Sequence, residues 1–209
     1  MSTQKSWQLG TPGSWLYRMF DAVREQLNRR LVFRLARALN GNANRVLEAG
    51  SGTACASEIF SKRPEVHFSL AADLDMQALL IARRRDPGLP LVAADLRALP
   101  FEPGAFHLVW NNSTLEHLPR MNPALREMRR CAAENGLVFV GVPFLFGPLG
   151  FQRLINGSSI GQWIGSVYSQ SELIEQLRQS GLEPQKSFPY FLRFFIGCLA
   201  KPSIHEEHV

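Results

Sequence analysis

Between residues 45 and 142, short apolar runs alternate with runs of helical period, and that alternation leaves few folds open. The strand-like runs are 45–49, 66–72, 89–94, 106–110 and 137–142, and the helix-like runs between them are 54–62, 76–85 and 123–133. Strands this short and this apolar cannot leave one face in water. Strand–helix alternation therefore predicts a parallel sheet covered by helices on both faces. Two later apolar runs, 185–190 and 192–200, meet at the aromatic "FPYFLRFF" and predict an antiparallel pair that closes the sheet at seven strands.

The flanks are less regular. Leu16, Phe20, Val23, Leu27 and Leu31 step by three or four and predict a helix over 14–39. After Leu31 the phase slips and Arg34 lands on the apolar stripe, which predicts a kink or a second helix. "NGNAN" at 40–44 is a helix stop and turn. Residues 144–169, rich in Gly, Pro, Ser and aromatics, have no clean period and read as an inserted lid or loop. A helix over 169–181 follows, capped by Ser169 or Ser171 and stopped by Gly181. The expected organisation is an N-terminal helical lid or substrate region (1–44), a main domain (45–200) with the insert 144–169, and a flexible tail (201–209).

Charge is spread unevenly. Residues 1–45 hold eight basic and two acidic side chains, so this stretch alone exceeds the net charge of +5. An Arg-rich helix face turned to water accounts for it, and a patch for anionic lipid or nucleic acid is the sharper alternative. Cys55, Cys131 and Cys198 lie far apart, with the spacing of neither a disulfide framework nor a zinc site. The N-terminal "MSTQKSWQLG" is too polar for a secretory signal, and a cytoplasmic protein is expected.

Three acids stand where the predicted strands end. Glu48 ends the first, just before the glycine loop "GSG" at 50–52; Asp73 ends the second; Asp95 ends the third. Ligands of open parallel sheets bind at carboxyl ends of strands, so the ligand must offer donors or positive charge at three places. A dinucleotide does this poorly. Its pyrophosphate would meet Glu48, and Cys55 replaces the last glycine of G-x-G-x-x-G. The P-loop pattern is absent from the sequence, as is a Tyr-x-x-x-Lys pair. S-adenosylmethionine (SAM) fits better, because it has no phosphate and carries a sulfonium, an ammonium, a ribose diol and an adenine amine. Glu48 can face the ammonium, Gly50 and Gly52 allow close backbone approach, Asp73 can accept from both ribose hydroxyls, and Asp95 can accept from the amine.

With these residues in view, the chain resembles class I SAM-dependent methyltransferases of the small-molecule type, the type 11 group. "VLEAGSGTA", "LAADLDMQALLIARR", "VAADLRALPFEPGAFHLVWNNSTLEHLP" and "ALREMRRCAAENGLVFVGVP" carry the resemblance in order and spacing over roughly 40–143. It implies a Rossmann-like α/β fold: a seven-stranded, mostly parallel sheet with a C-terminal antiparallel hairpin. It also implies SAM as cofactor, S-adenosylhomocysteine as product, and a cofactor set of Glu48, Gly50, Ser51, Gly52, Asp73, Leu74, Asp95, Leu96 and Asn111. Two departures stand out. Ala54 replaces the usual third glycine, and Asp75 stands where Ser or Asn is frequent and can compete with Asp73 for the ribose.

Methyl transfer is an in-line displacement that depends mainly on positioning, with a base needed only if the acceptor arrives protonated. "WNNSTLEHLP" after the fourth strand is the stretch to search. Asn112 and His117 are the catalytic candidates, with His117 able to titrate near neutral pH or else only supporting the loop. Glu116 reads as a cap or a pairing partner. Ser113 stands where ubiquinone-type O-methyltransferases carry an extra carboxylate, so a metal is not expected. His67 and His107 read as structural, and His205 and His208 fall in the tail. Phe144, Phe146, Phe151, Trp163 and Tyr168 either line an apolar acceptor pocket or bury the insert. Trp15, Tyr17, Met19 and Phe20 are expected to close the acceptor site as a lid. The predicted partner is a small-molecule acceptor, with no nucleic acid expected, since the [DNS]-P-P-[YFW] and Pro-Cys signatures are missing. Peripheral membrane contact through the basic N-terminal helix, with a lipid or prenylated acceptor, is one alternative. A non-catalytic module serving a partner enzyme is the other.

Overall fold

The computed structural model describes residues 15–39, 41, 44–154 and 164–203, with side chains from residue 25 onward. The order along the chain is α1 (Trp15–Ala36), β1 (Asn44–Ala49), α2 (Cys55–Ser61), β2 (Val66–Asp73), α3 (Met76–Arg85), β3 (Leu91–Ala93), β4 (Phe106–Asn112), α4 (Asn122–Cys131), β5 (Ala132–Pro143), α5 (Gln170–Arg178), β6 (Leu182–Tyr190) and β7 (Phe195–Pro202). Short 3-10 turns cover Leu115–His117 and Gly150–Leu154. The sheet runs β3-β2-β1-β4-β5-β7-β6, with β7 antiparallel to both neighbours. Strand order therefore reverses beside β1, where β2 continues to one side and β4 to the other. That is the crevice where such sheets take ligands.

Both faces of the sheet are covered. Alternation along β1 sends Leu47 to the face under α4 and α5, with Leu125, Met128, Leu173 and Leu177. Val46 goes to the opposite face, with Phe60 of α2 and Leu31, Val32, Leu35 and Ala36 of α1. Trp110 is fully buried there, edge-on to Phe60 at 5.2 Å and stacked with Phe139 at 6.0 Å. The capping box expected near 169–171 forms at Ser169, whose hydroxyl accepts from the Glu172 N–H while Glu172 accepts from the Ser169 N–H.

Two expectations change. The N-terminal helix is one uninterrupted element rather than a kinked pair. The buried side shifts to Asn28, Leu31, Val32, Leu35 and Ala36, and Arg34 is left exposed. Its guanidinium lies 3.4 Å from the centre of the Phe188 ring, so the phase slip is absorbed by a cation–π contact at the sheet edge. The second half of α1 is also part of the core of the main domain, not a separate piece. The side chains of Trp15, Tyr17, Met19 and Phe20, Trp163 of the insert, and His205 and His208 lie outside the described residues.

Leu35→Ala should therefore lower stability by roughly 2–5 kcal/mol, the range for emptying a packed core site. Phe33→Ala, half exposed on the same helix, should cost under about 1 kcal/mol. Urea midpoints of the two variants check this. Equal small losses would mean that α1 is not docked.

Candidate cofactor and acceptor site

The glycine loop leaves β1 through a sharp turn. Gly50 and Gly52 both have positive φ, +78° and +52°. A Cβ at Gly50 would fall 2.7–2.9 Å from Thr114, whereas a Cβ at Gly52 would meet nothing within 4 Å. The loop is therefore crowded beneath and open above, as a cradle for a ligand must be. The N–H groups of Gly50 and Ser51 both donate to the Ala72 carbonyl, at 2.8 and 3.0 Å, which ties the loop to the end of β2. Ala54, at the position of the family's third glycine, has the left-handed conformation without being glycine (φ 55°) and opens α2 fully buried. Packing overrides a cost of about 1 kcal/mol there.

Asp73 closes the clasp. Its Oδ2 accepts from Gly52 N–H at 2.6 Å and its Oδ1 from Asp75 N–H at 2.8 Å. Each oxygen keeps acceptor capacity for a further donor. Asp75 has a structural task of its own. Its carboxylate caps α3, accepting from the N–H of Gln77 and of Ala78. Leu74, beside Asp73, exposes 53% of its surface and offers an apolar wall.

The alternation that sends Val46 toward α2 sends Glu48 there too, and its Oε2 accepts from both the N–H and the Oγ–H of Ser57, at 2.7 and 2.6 Å. This buried carboxylate fastens the loop to the first turn of α2. Asp95 is bound on both oxygens by Arg97, which holds its carboxyl below the usual carboxylate range. Leu96 behind it is buried. On β4, Asn111 donates to the Ala49 carbonyl at 2.5 Å, and its Oδ1 is buried without a partner. Asn112 accepts from the Tyr190 hydroxyl at 2.5 Å and donates to Asn28 of α1 at 3.4 Å.

The turn after β4 holds the residues that matter for acid–base chemistry. Thr114 Oγ1 donates to the Gly50 carbonyl at 2.9 Å and Ser113 N–H to the Gly141 carbonyl at 2.9 Å, so the turn is fastened to both neighbouring strand ends. Ser113 is exposed, with φ 63°, and its hydroxyl donates to Glu116 Oε1 at 2.6 Å. Glu116 is buried, its Oε2 has no partner, and burial pushes its carboxyl up to about 8. His117 lies against Gly165, and burial lowers its imidazole to about 3. The reading of His117 as a group that titrates near neutrality is therefore corrected. At pH 7 both groups are neutral, and their 3.7 Å approach is a polar contact, not an ion pair. Sequence reasoning read Glu116 only as a cap or a pairing partner and missed its burial. A carboxylate three positions after Ser113, between Leu115 and a buried histidine, was the available signal.

The insert supplies a strap. Ser166 N–H donates to the Glu116 carbonyl, and Tyr168 exchanges backbone hydrogen bonds with Pro143 and Leu145. Phe144 is buried, whereas Phe146 and Phe151 are exposed, so the expected aromatic pocket is not assembled from these described members. Gln152, Arg153, Ser166, Tyr168 and Glu172 instead border a polar cleft of about 400 Å³. His107 accepts from the Arg45 N–H and acts in the framework. Among the described residues no group of three His, Cys, Asp or Glu could hold a metal ion, and no helix is long and apolar enough to cross a membrane.

Residues 47–140 match the family model described as a methyltransferase domain. The chain is 36% identical over 146 residues to malonyl-[acyl-carrier protein] O-methyltransferase of Halorhodospira halophila, covering 63% of this chain and 48% of that protein. It is 25% identical over 183 residues to 27-O-demethylrifamycin SV methyltransferase of Amycolatopsis mediterranei, covering 80% and 64%. It spans about half the length of the first of these curated relatives. In fold it is similar to the trans-methyltransferase CalH in complex with S-adenosylhomocysteine, with a TM-score of 0.67, 20% identity and coverage of 86% and 57%. A TehB-like SAM-dependent methyltransferase from Corynebacterium glutamicum aligns with a TM-score of 0.62, 19% identity and coverage of 84% and 87%.

The buried pair makes a prediction about pH. The folded value of Glu116 lies above its unfolded value of 4.5, so its contribution should fall as pH rises from about 4.5 to 8, by roughly 3–5 kcal/mol. The folded value of His117 lies below 6.5, so its contribution should rise between about pH 3 and 6.5. The two slopes oppose each other between 4.5 and 6.5. Stability should peak in that range, and Glu116→Gln should remove the decline above it. Urea midpoints across pH 4–9 check this. An unchanged alkaline slope in the variant would contradict it.

Proposed function

We infer that this chain, which belongs to the class I SAM-dependent methyltransferases, binds SAM over its glycine loop and transfers a methyl group to the oxygen of a small-molecule acceptor. The observation that carries this reading is the Asp73 clasp. A carboxylate with two backbone donors and acceptor capacity to spare, beside an open glycine crest and an exposed Leu74, suits a ribose diol. Asp95 suits the adenine amine, with Arg97 as a movable neighbour and Leu96 supporting the pocket from behind. The orphaned Asn111 Oδ1 is a further acceptor beside the loop. Gly50 and Ser51 shape the turn. Glu48 positions the loop through Ser57.

When bound, SAM supplies an activated methyl group on a sulfonium. The chain's own residues then have to align an acceptor with it and exclude water. The Ser113–His117 turn, next to Gly50, is the wall on that side, and the strap 164–168 covers the turn from above. The oxygen acceptor follows the relatives, which are named for O-methylation. A role for α1 on the acceptor side is supported by Asn28, which reaches Asn112. We place the enzyme in the cytoplasm, in keeping with the wide sequence spacing of Cys55, Cys131 and Cys198, which marks no disulfide framework. Contact of the basic helix face with anionic lipid is the reading to hold against a freely diffusing acceptor.

Titration calorimetry tests the cofactor. S-adenosylhomocysteine should bind, and Asp73→Ala should weaken it by roughly 2–4 kcal/mol, the cost of removing one partner of a charge-assisted pair. Asp75→Ala should leave affinity near that of the parent and lose about 1 kcal/mol of stability through its cap. Binding of NAD in place of S-adenosylhomocysteine would overturn the reading.

A further inference from the structure

A buried carboxyl beside the cofactor loop, joined by hydrogen bond to an exposed hydroxyl, needs an explanation that packing does not supply. Glu116 has a fully buried side chain, and Ser113 engages only Oε1, leaving Oε2 without a partner. Removing such a group from water is costly, and a glutamine or a leucine would be cheaper at the same place. The backbone also holds a strain to keep Ser113 where it is, with a left-handed φ at a residue that is not glycine. The turn is fastened through Thr114 to Gly50 and through Ser113 N–H to Gly141, so the Ser113 hydroxyl is fixed at the mouth of the cofactor loop.

We propose that Ser113 and Glu116 form a relay that takes the proton from a hydroxyl acceptor as that hydroxyl is methylated. This rests on the SAM reading above and narrows the acceptor to one that arrives protonated, since a carboxylate arrives ionised and needs no relay. In the step, which starts from the ionised carboxylate of Glu116, the acceptor oxygen forms its bond to the methyl group as the sulfur–methyl bond breaks. The acceptor's proton passes to Ser113 Oγ, and the proton already on Ser113 passes to Glu116 Oε1. S-adenosylhomocysteine, the methyl ether and a neutral Glu116 result, and Glu116 returns its proton to solvent by the same route. The ionisable groups that face Glu116 are His117 on its own turn, Tyr168 on the strap and Tyr190 on β6. Tyr168 and Tyr190 stay protonated through neutrality because burial raises both, and His117 stays neutral. Glu116 is therefore the group in this cluster whose charge changes near working pH, as a proton acceptor requires.

The test uses the full chain, labelled SAM, and two probes: phenol, which arrives protonated, and malonate, which arrives ionised. Ser113→Gly suits the left-handed position, and Glu116→Gln keeps the shape of the carboxyl, so neither should unfold the turn. Phenol should be methylated at a rate that rises with pH to a plateau above about 8. Both variants should lose at least a hundredfold in kcat and lose that rise, with S-adenosylhomocysteine affinity within threefold of the parent. In the parent bound to S-adenosylhomocysteine, carboxyl carbon NMR should show Glu116 titrating near pH 8, and Ser113→Gly should move that titration upward. Phenol turnover within threefold of the parent in either variant would overturn the relay. So would methylation of malonate alone, or of neither probe, while S-adenosylhomocysteine still binds. Failure of the parent to bind S-adenosylhomocysteine would instead overturn the SAM reading itself.

Discussion

The carboxylate of Asp73 is the contact on which the cofactor site depends. It stands at the last position of β2 and draws in the N–H of Gly52 from one side and of Asp75 from the other. Two more N–H groups, of Gly50 and Ser51, converge on the carbonyl of Ala72 one residue earlier. The end of β2 thus organises the loop that leaves β1. The loop is possible because two glycines accept positive φ, and it is fixed from beneath by Thr114 and from behind by Glu48 through Ser57. Each of these contacts comes from a different element. Misplacing any one strand would open the loop, which is why a well-packed sheet is a precondition for this chemistry and not just its support.

The acceptor side is built differently. It uses no glycine cradle but a short turn, Ser113 to His117, fastened between two strand ends and covered by a strap from the insert. Burial then separates the groups by charge. His117 is too well buried to take up a proton near neutrality, while Glu116 is held close to the point where it releases one. Two ionisable neighbours with values pushed apart by their surroundings are a usual mark of an acid–base site. The buried side of α1 borders the same turn, since Asn28 and Asn112 meet there. Arg34 and Arg37 remain outside, over the rings of Phe188 and Phe33.

The fold was legible in the sequence because alternation of short strands and helices leaves so few arrangements. Each strand expected over 45–142 is present within a few residues, and so is the closing antiparallel pair. The place of Asp73 at the end of β2 was legible too, because the run before it is a short apolar strand. The bond from Glu48 to Ser57 was not legible, because strand alternation, not proximity to the loop, decides which face a side chain takes. Arg34 was misread because a helix stripe was extended past the point where the partner surface changes. The proton affinities of His117 and Glu116 were not legible, because burial sets them and burial of one position in a turn cannot be read from its neighbours along the chain. Asp75 was read as a rival for the ribose, whereas capping α3 engages its carboxylate.

A crystal structure of the chain with S-adenosylhomocysteine tests the central claim most directly. Both ribose hydroxyls should lie within about 2.5–3.0 Å of the Asp73 carboxylate oxygens. The Gly52 N–H should remain on Oδ2, and the homocysteine sulfur should point toward Ser113. A ribose held by Asp95 or Asp75, or a clasp opened by the ligand with Gly52 released from Asp73, would contradict the account.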